Sequence, residues 1–91
     1  MSIEQPPETL LTFPCTFPIK IMGITSDRFE ATMLTLAAQY IDGMEKVKVQ
    51  QKASKNGTYT SITMTFEAQN QKQLDDLYCD FSAHPSVKMV L

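Results

Sequence analysis

The 91-residue sequence predicts an α+β fold: a four-stranded antiparallel sheet with two helices on one face. Three observations predict it. Residues 59–68, YTSITMTFEA, alternate without a break, placing Thr60, Ile62, Met64, Phe66 and Ala68 on one side and Tyr59, Ser61, Thr63, Thr65 and Glu67 on the other. Two other stretches, 26–41 and 70–84, carry apolar residues at helical spacing. Finally, the predicted elements run strand, helix, strand, turn, strand, helix, strand, which divides into two strand–helix–strand units of roughly 35 residues each.

Residues 1–16 read as an arm ahead of one domain, residues 17–91. Residues 1–9 are mostly polar, and Pro6, Pro7, Pro14 and Pro18 all fall in the first 18 positions. Leu10, Leu11 and Phe13 are too apolar for a detached tail and are expected to pack back on the domain, with a turn of helix as one form. Phe17, Ile19 and Ile21 alternate with Pro18, Lys20 and Met22, a strand that ends at Gly23 and tolerates Pro18 at its start.

Phe29, Met33, Leu36, Ala37 and Tyr40 define the first helix, with Thr25 or Ser26 as its cap, Asp27 in its positive first turn and Gly43 as its left-handed stop. Val47, Val49 and Gln51 alternate with Lys46, Lys48, Gln50 and Lys52, a strand whose lysines suit a sheet edge. Asn56-Gly57 supplies positive φ angles for a hairpin turn into residues 59–68. Leu74, Leu77, Tyr78 and Phe81 define the second helix, with Asn70 as N-cap and Pro85 as stop; VKMVL closes the chain as a short strand. With right-handed crossovers the two units interleave into a ferredoxin-like βαββαβ sandwich of sheet order 4-1-3-2. Ile62, Met64 and Phe66 then meet the helices, and the hydroxyl row lies on the open face.

Composition narrows the function classes. A hydrophobic share of 43% is that of a globular chain, and a net charge of -2 disfavours non-specific nucleic-acid binding. RNA-recognition domains share the topology, but they stack bases on sheet aromatics; strand 3 offers only Tyr59, so no nucleic acid is expected. The first 18 residues have neither the basic start nor the apolar run of a secretory signal, and no apolar run approaches the roughly 18 residues that span a bilayer. The expectation is a cytoplasmic protein with no membrane contact, in which Cys15 and Cys79 remain thiols.

Candidate chemistry is sparse. Cys15, Cys79 and His84 lack zinc-ligand spacing, so no metal or cofactor is expected. Cys79 and His84 lie five apart, a poor spacing for a nucleophile–base pair. Asp75, Asp76 and Asp80 read as a solvated acidic face, with no positive partner expected beside them. The sequence therefore predicts no enzyme. Two places deserve a binding reading. One is the turn Gly23, Ile24, Thr25 and Ser26, where a glycine precedes a helix N-terminus able to receive a carboxylate or phosphate; an ordinary strand-to-helix turn explains it equally. The other is the open face, with Lys20 and Met22 from strand 1, Lys48, Gln50 and Lys52 from strand 2, Tyr59, Ser61, Thr63 and Thr65 from strand 3, and Lys88 and Val90 from strand 4. Lysines beside hydroxyls can take an anion or a partner, although antiparallel sheets often leave one side wet.

Three segments carry a family resemblance. FPxxFxxKxMG is matched by Phe13-Pro14, Phe17, Lys20 and Met22-Gly23; SKxGxYxSxT by Ser54-Lys55, Gly57, Tyr59, Ser61 and Thr63; and V-K/R-M-V-L by Val87–Leu91. In this order they resemble the YbeD-like family of small bacterial proteins, over nearly the whole chain after residue 10. The resemblance implies an ACT-like fold. ACT domains bind amino acids or other small ligands beside the turn between strand 1 and helix 1, here residues 23–26, and regulate enzymes, usually by pairing their sheets. The Asp and Pro-Gly often found in that turn are missing here. The expectation that follows is a regulatory or ligand-sensing domain with a small-molecule ligand, acting through a homodimer or a partner. The alternative is a protein–protein adaptor that uses the open face or the strand-2 edge without a small ligand.

Overall fold

A computed structural model describes residues 12–91. Leu10 and Leu11 lie outside that range, and so does most of the predicted arm. The elements are β1 (Cys15–Ile24), α1 (Phe29–Ala38), a 3-10 turn (Met44–Lys46), β2 (Lys48–Ala53), β3 (Tyr59–Ala68), α2 (Gln71–Ala83) and β4 (Val87–Val90). They form one antiparallel sheet of order β2-β3-β1-β4, the predicted ferredoxin-like arrangement. β1 begins two residues before the expected Phe17 and pairs with β3 along its whole length, from Cys15 opposite Ala68 to Ile24 opposite Tyr59.

The core lies between the sheet and the helices. Ile19, Ile21, Ile62, Met64, Phe66 and Ala68 meet Phe29, Met33 and Ala37 of α1 and Leu74, Leu77 and Phe81 of α2, all buried. Every sheet residue in that set has the parity the alternation requires. Phe13 packs on the same core, as does Phe17, whose ring lies 6.3 Å from that of its cross-strand partner Phe66.

Pro18 falls in the interior of β1 rather than at its start. Lys20 exchanges both backbone hydrogen bonds with Leu91, and the Ile24 amide donates to Ser86 O, so even-numbered β1 residues aim their backbone groups at β4. Pro18 has the same parity but lies beyond the last of these pairs. Its missing N–H costs no ladder bond.

α1 is shorter than the predicted 26–41. Arg28 stands at its N-cap without a side-chain cap, because Thr25 is engaged elsewhere. At the other end the Ile41 amide still donates to Ala37 O, so the helical bonding runs on to the predicted limit in looser form. Gly43 takes φ 73°, as expected of a left-handed stop, and opens the 3-10 turn.

In the β2–β3 hairpin only Gly57, at φ 74°, has a positive φ; Asn56 does not, which corrects the expectation for that pair. The turn is closed instead by the Gly57 amide on Ser54 O and by the Tyr59 amide on the Ser54 hydroxyl. α2 follows its prediction: the Asn70 side chain accepts from the Gln73 amide at 2.8 Å, and the chain turns extended at His84, just before Pro85.

Candidate functional site: the helix-free sheet face

The turn predicted to receive a ligand is occupied by the protein itself. Gly23 is buried, and a Cβ there would collide with the Phe29 ring and come within 2.5 Å of Ser86 O. The close approach that a glycine permits is therefore made by a core side chain. The Thr25 amide donates to Thr58 O at 3.0 Å, and the hydroxyls of Thr25 and Thr60 share a 2.7 Å hydrogen bond. Ser26 O accepts from the Phe29 amide. Ile24, 44% exposed, Thr25 and Ser26 lie at the surface, and Gly23 is the buried one of the four.

The helix-free face gains in definition. Its side chains form cross-strand rows set by the register: Ile24 with Tyr59; Met89, Met22, Ser61 and Lys52; Leu91, Lys20, Thr63 and Gln50; Pro18, Thr65 and Lys48; and Thr16 with Glu67. Lys20, Met22, Lys48, Tyr59, Ser61 and Thr63 thus come together as predicted. Val90 does not, while Lys88 is exposed at the β4 edge beside Met89. The register slips between Met22 and Gly23, where Met22 faces Met89 but Gly23 faces Val87. Lys88 is the extra residue of this bulge and has no β1 partner. Val90 is carried opposite the buried Ile21 and packs on the core. Met89 and Leu91 take the outward places instead, 48% and 61% exposed.

The correction changes the chemistry of the face. Ile24, Tyr59 at 39%, Met89 and Leu91 are the large hydrophobic side chains exposed among the described residues, and all four lie here, beside the half-buried Met22. They occupy the β4–β1 side and the open end of β3. The hydroxyls of Ser61, Thr63 and Thr65 run down the middle, Ser61 donating to Lys52 O at 3.4 Å. Lys48 and Lys52 line the β2 side. Three strand spacings of about 4.8 Å separate Met89 from Lys52, roughly 14 Å.

Several titratable groups on the helices and the α2–β4 turn are engaged with one another or with the backbone. Lys72 pairs with Asp76 at 2.9 Å, supplying the positive partner not expected for the acidic helix face. Gln71 donates to Asp75 and the Tyr40 hydroxyl donates to Asp80 at 2.5 Å. That bond, with burial and the charges of Asp80 and Asp76, raises the Tyr40 pKa above the ordinary tyrosine value; burial raises that of Tyr78. His84 Nδ1 accepts from the Ser86 amide, so it shapes the α2–β4 turn. Cys15 and Cys79 are unbridged.

Sequence reasoning missed a cleft of about 400 Å³ at the opposite end of β1 from the turn, lined by Tyr40, Ile41, Asp42, Glu67, Gln69, Asn70 and Gln73. Its residues come from segments some 30 positions apart, so no local pattern signals it. Gln73 is its hub, donating to Tyr40 O and accepting from the Gln69 amide, both at 2.8 Å. These bonds tie the α1–β2 connection to the β3–α2 loop and give the cleft a structural role.

Fold and face together define a small α+β protein with a two-layer body and one uncovered, chemically graded sheet surface. The chain belongs to the family described as "Protein of unknown function (DUF493)", whose model matches residues 8–91, in agreement with the YbeD-like resemblance. It is 42% identical over 84 residues to a UPF0250 protein of Paraburkholderia phytofirmans, covering 92% of this chain and 94% of that one. It is 38% identical over 91 residues to a UPF0250 protein of Janthinobacterium sp. (strain Marseille), covering both in full. The solution structure of protein HP0495 from H. pylori matches with a TM-score of 0.67 at 19% identity, over 99% of this chain and 98% of that one, a likeness of fold. No helix among the described residues is long and apolar enough to cross a membrane.

Proposed function

We propose that this protein is a non-catalytic binding module, an adaptor that receives a protein partner on the helix-free face of its sheet. The observation that carries the reading is the gathering of Ile24, Tyr59, Met89 and Leu91 on that one face around Met22. Apolar side chains grouped on an otherwise polar surface favour association, because covering them removes apolar area from water. Ligand sensing at Gly23–Ser26 is less well supported, since binding there would compete with the Phe29 packing and the Thr25 hydrogen bonds already made.

The test is a double variant, Met89→Lys with Leu91→Lys, beside Ala38→Lys on exposed α1 surface as control. All three proteins are expected to unfold within about 0.5 kcal/mol of one another, as exposed positions do. Native mass spectrometry of gently purified protein should show a partner retained by the parent and the control and lost by the double variant. A parent carrying only small-molecule mass, and stabilised by that molecule in thermal titration, would support sensing instead.

A further inference from the structure

We infer that the occupant of the open face is an acidic protein segment with a row of apolar side chains, and not a second copy of this chain; this rests on the binding-module reading above. The face is divided lengthwise. Met22, Ile24, Met89 and Leu91 make an apolar side, and Lys48 and Lys52 a basic side across the hydroxyl column, with Lys20 set between Leu91 and Thr63 and Lys88 exposed at the outer β4 edge beside Met89. Among the described residues of the face Glu67 is the acidic side chain, and it lies at the far end opposite Thr16. Glu67 stands diagonally beyond Lys48 across the β2–β3 pair without an ion pair to it among the described residues, and Lys52 has no acidic neighbour in its row, although the whole chain carries a net charge of -2.

A second copy fits this surface poorly. Two-fold stacking about an axis across the strands brings apolar side onto apolar side and also Lys48 and Lys52 onto their images. Two-fold stacking about an axis along the strands sets the lysines over Met89 and Leu91 when the faces overlap fully, and leaves the lysines unused when only the apolar sides meet. The first costs like-charge repulsion, and full overlap in the second leaves ammonium groups against apolar surface. A segment with apolar side chains along one line and carboxylates along a line roughly 14 Å away satisfies both halves, a separation set by the sheet spacing. An α-helix, about 10–12 Å across with its side chains, can present two such lines. Single-stranded nucleic acid would meet the lysines but would leave the methionine and leucine side chains unused. Tyr59 is the sole aromatic ring on the face available for base stacking.

The experiment is an NMR titration of the isotope-labelled full chain with a designed amphipathic helix, Leu on one stripe and Glu on the flank. Its twin has Lys for each Glu, and a short oligouridylate is the third probe. The acidic peptide should shift the amides of Met22, Ser61, Thr63, Lys52 and Met89, and the basic twin should not. Lys48→Glu with Lys52→Glu should weaken the acidic peptide about tenfold and reduce its salt dependence. Equal shifts by both peptides, no shifts with the acidic peptide at millimolar concentration, or preferential shifts by the oligouridylate would overturn the inference. So would sedimentation of the parent as a dimer that Met89→Lys dissociates. The two readings fail separately: if Met89→Lys with Leu91→Lys abolishes partner retention while the lysine reversals leave it intact, the face stands and the acidic occupant falls. If neither pair matters, the face reading falls as well.

Discussion

A single methyl group added at position 23 would strike the Phe29 ring and Ser86 O. Phe29 is fully packed at the base of α1, and Ser86 O already accepts the Ile24 amide, so neither can withdraw freely. Gly23→Ala is expected to destabilise the fold by about 1–3 kcal/mol in urea denaturation, the usual range for overpacking a tight site. An unchanged midpoint would show that the helix start can shift. The sequence makes the need for closeness at Gly23 legible but not the identity of the approaching group, because a glycine beside a helix start looks the same whether a ligand or a phenyl ring lies against it. Two tyrosines give a second residue-level test. Tyr40 and Tyr78 both have raised pKa values in the folded protein. Each then holds its proton more tightly folded than unfolded. Their contribution to stability is complete below the unfolded tyrosine value of about 10 and is lost as pH rises through the folded value. Stability should therefore fall on the alkaline side, and Tyr40→Phe with Tyr78→Phe should flatten that fall; a slope identical to the parent's would sink the assignment.

Elements were legible where the local pattern and the packing demand coincide. β3 alternates because one side meets α1 and α2; α2 starts at its cap because the Asn70 oxygen has an unpaired Gln73 amide in reach. Asn70→Ala should cost about 1 kcal/mol by thermal or chemical denaturation, unless another acceptor replaces it. α1 was less legible, since Thr25 has the chemistry of a cap but its hydroxyl goes to Thr60 on β3. β4 was misread for a different reason. Strict alternation through VKMVL points Lys88 and Val90 outward; Lys88 is exposed, but as the bulged residue it reverses the side chains after it, so Val90 turns inward and Met89 outward. Deleting Lys88 is expected to leave a regular strand with Met89 still opposite Met22. Cross-strand nuclear Overhauser contacts between those two methionines would verify it, and a flipped register would remove them.

For the whole molecule the topology was legible, since two strand–helix–strand units with short connections leave few other arrangements. The working surface was only half legible: its lysines and hydroxyls follow from parity, whereas its apolar half depends on the bulge and the cleft on distant segments. The assembled sheet also has to avoid its own kind. β1 reaches back to Cys15, but β4 covers it only as far as the pair Lys20 and Leu91, so Thr16 and Pro18 face a side where no strand lies among the described residues. A pairing chain arriving there would find no donor at Pro18. Concentrated solutions should therefore stay clear because of an amide hydrogen that is missing. Pro18→Val would restore it, and light scattering that rises with concentration for this variant and not for the parent would show that one imino acid keeps neighbouring molecules from extending the sheet into a fibre.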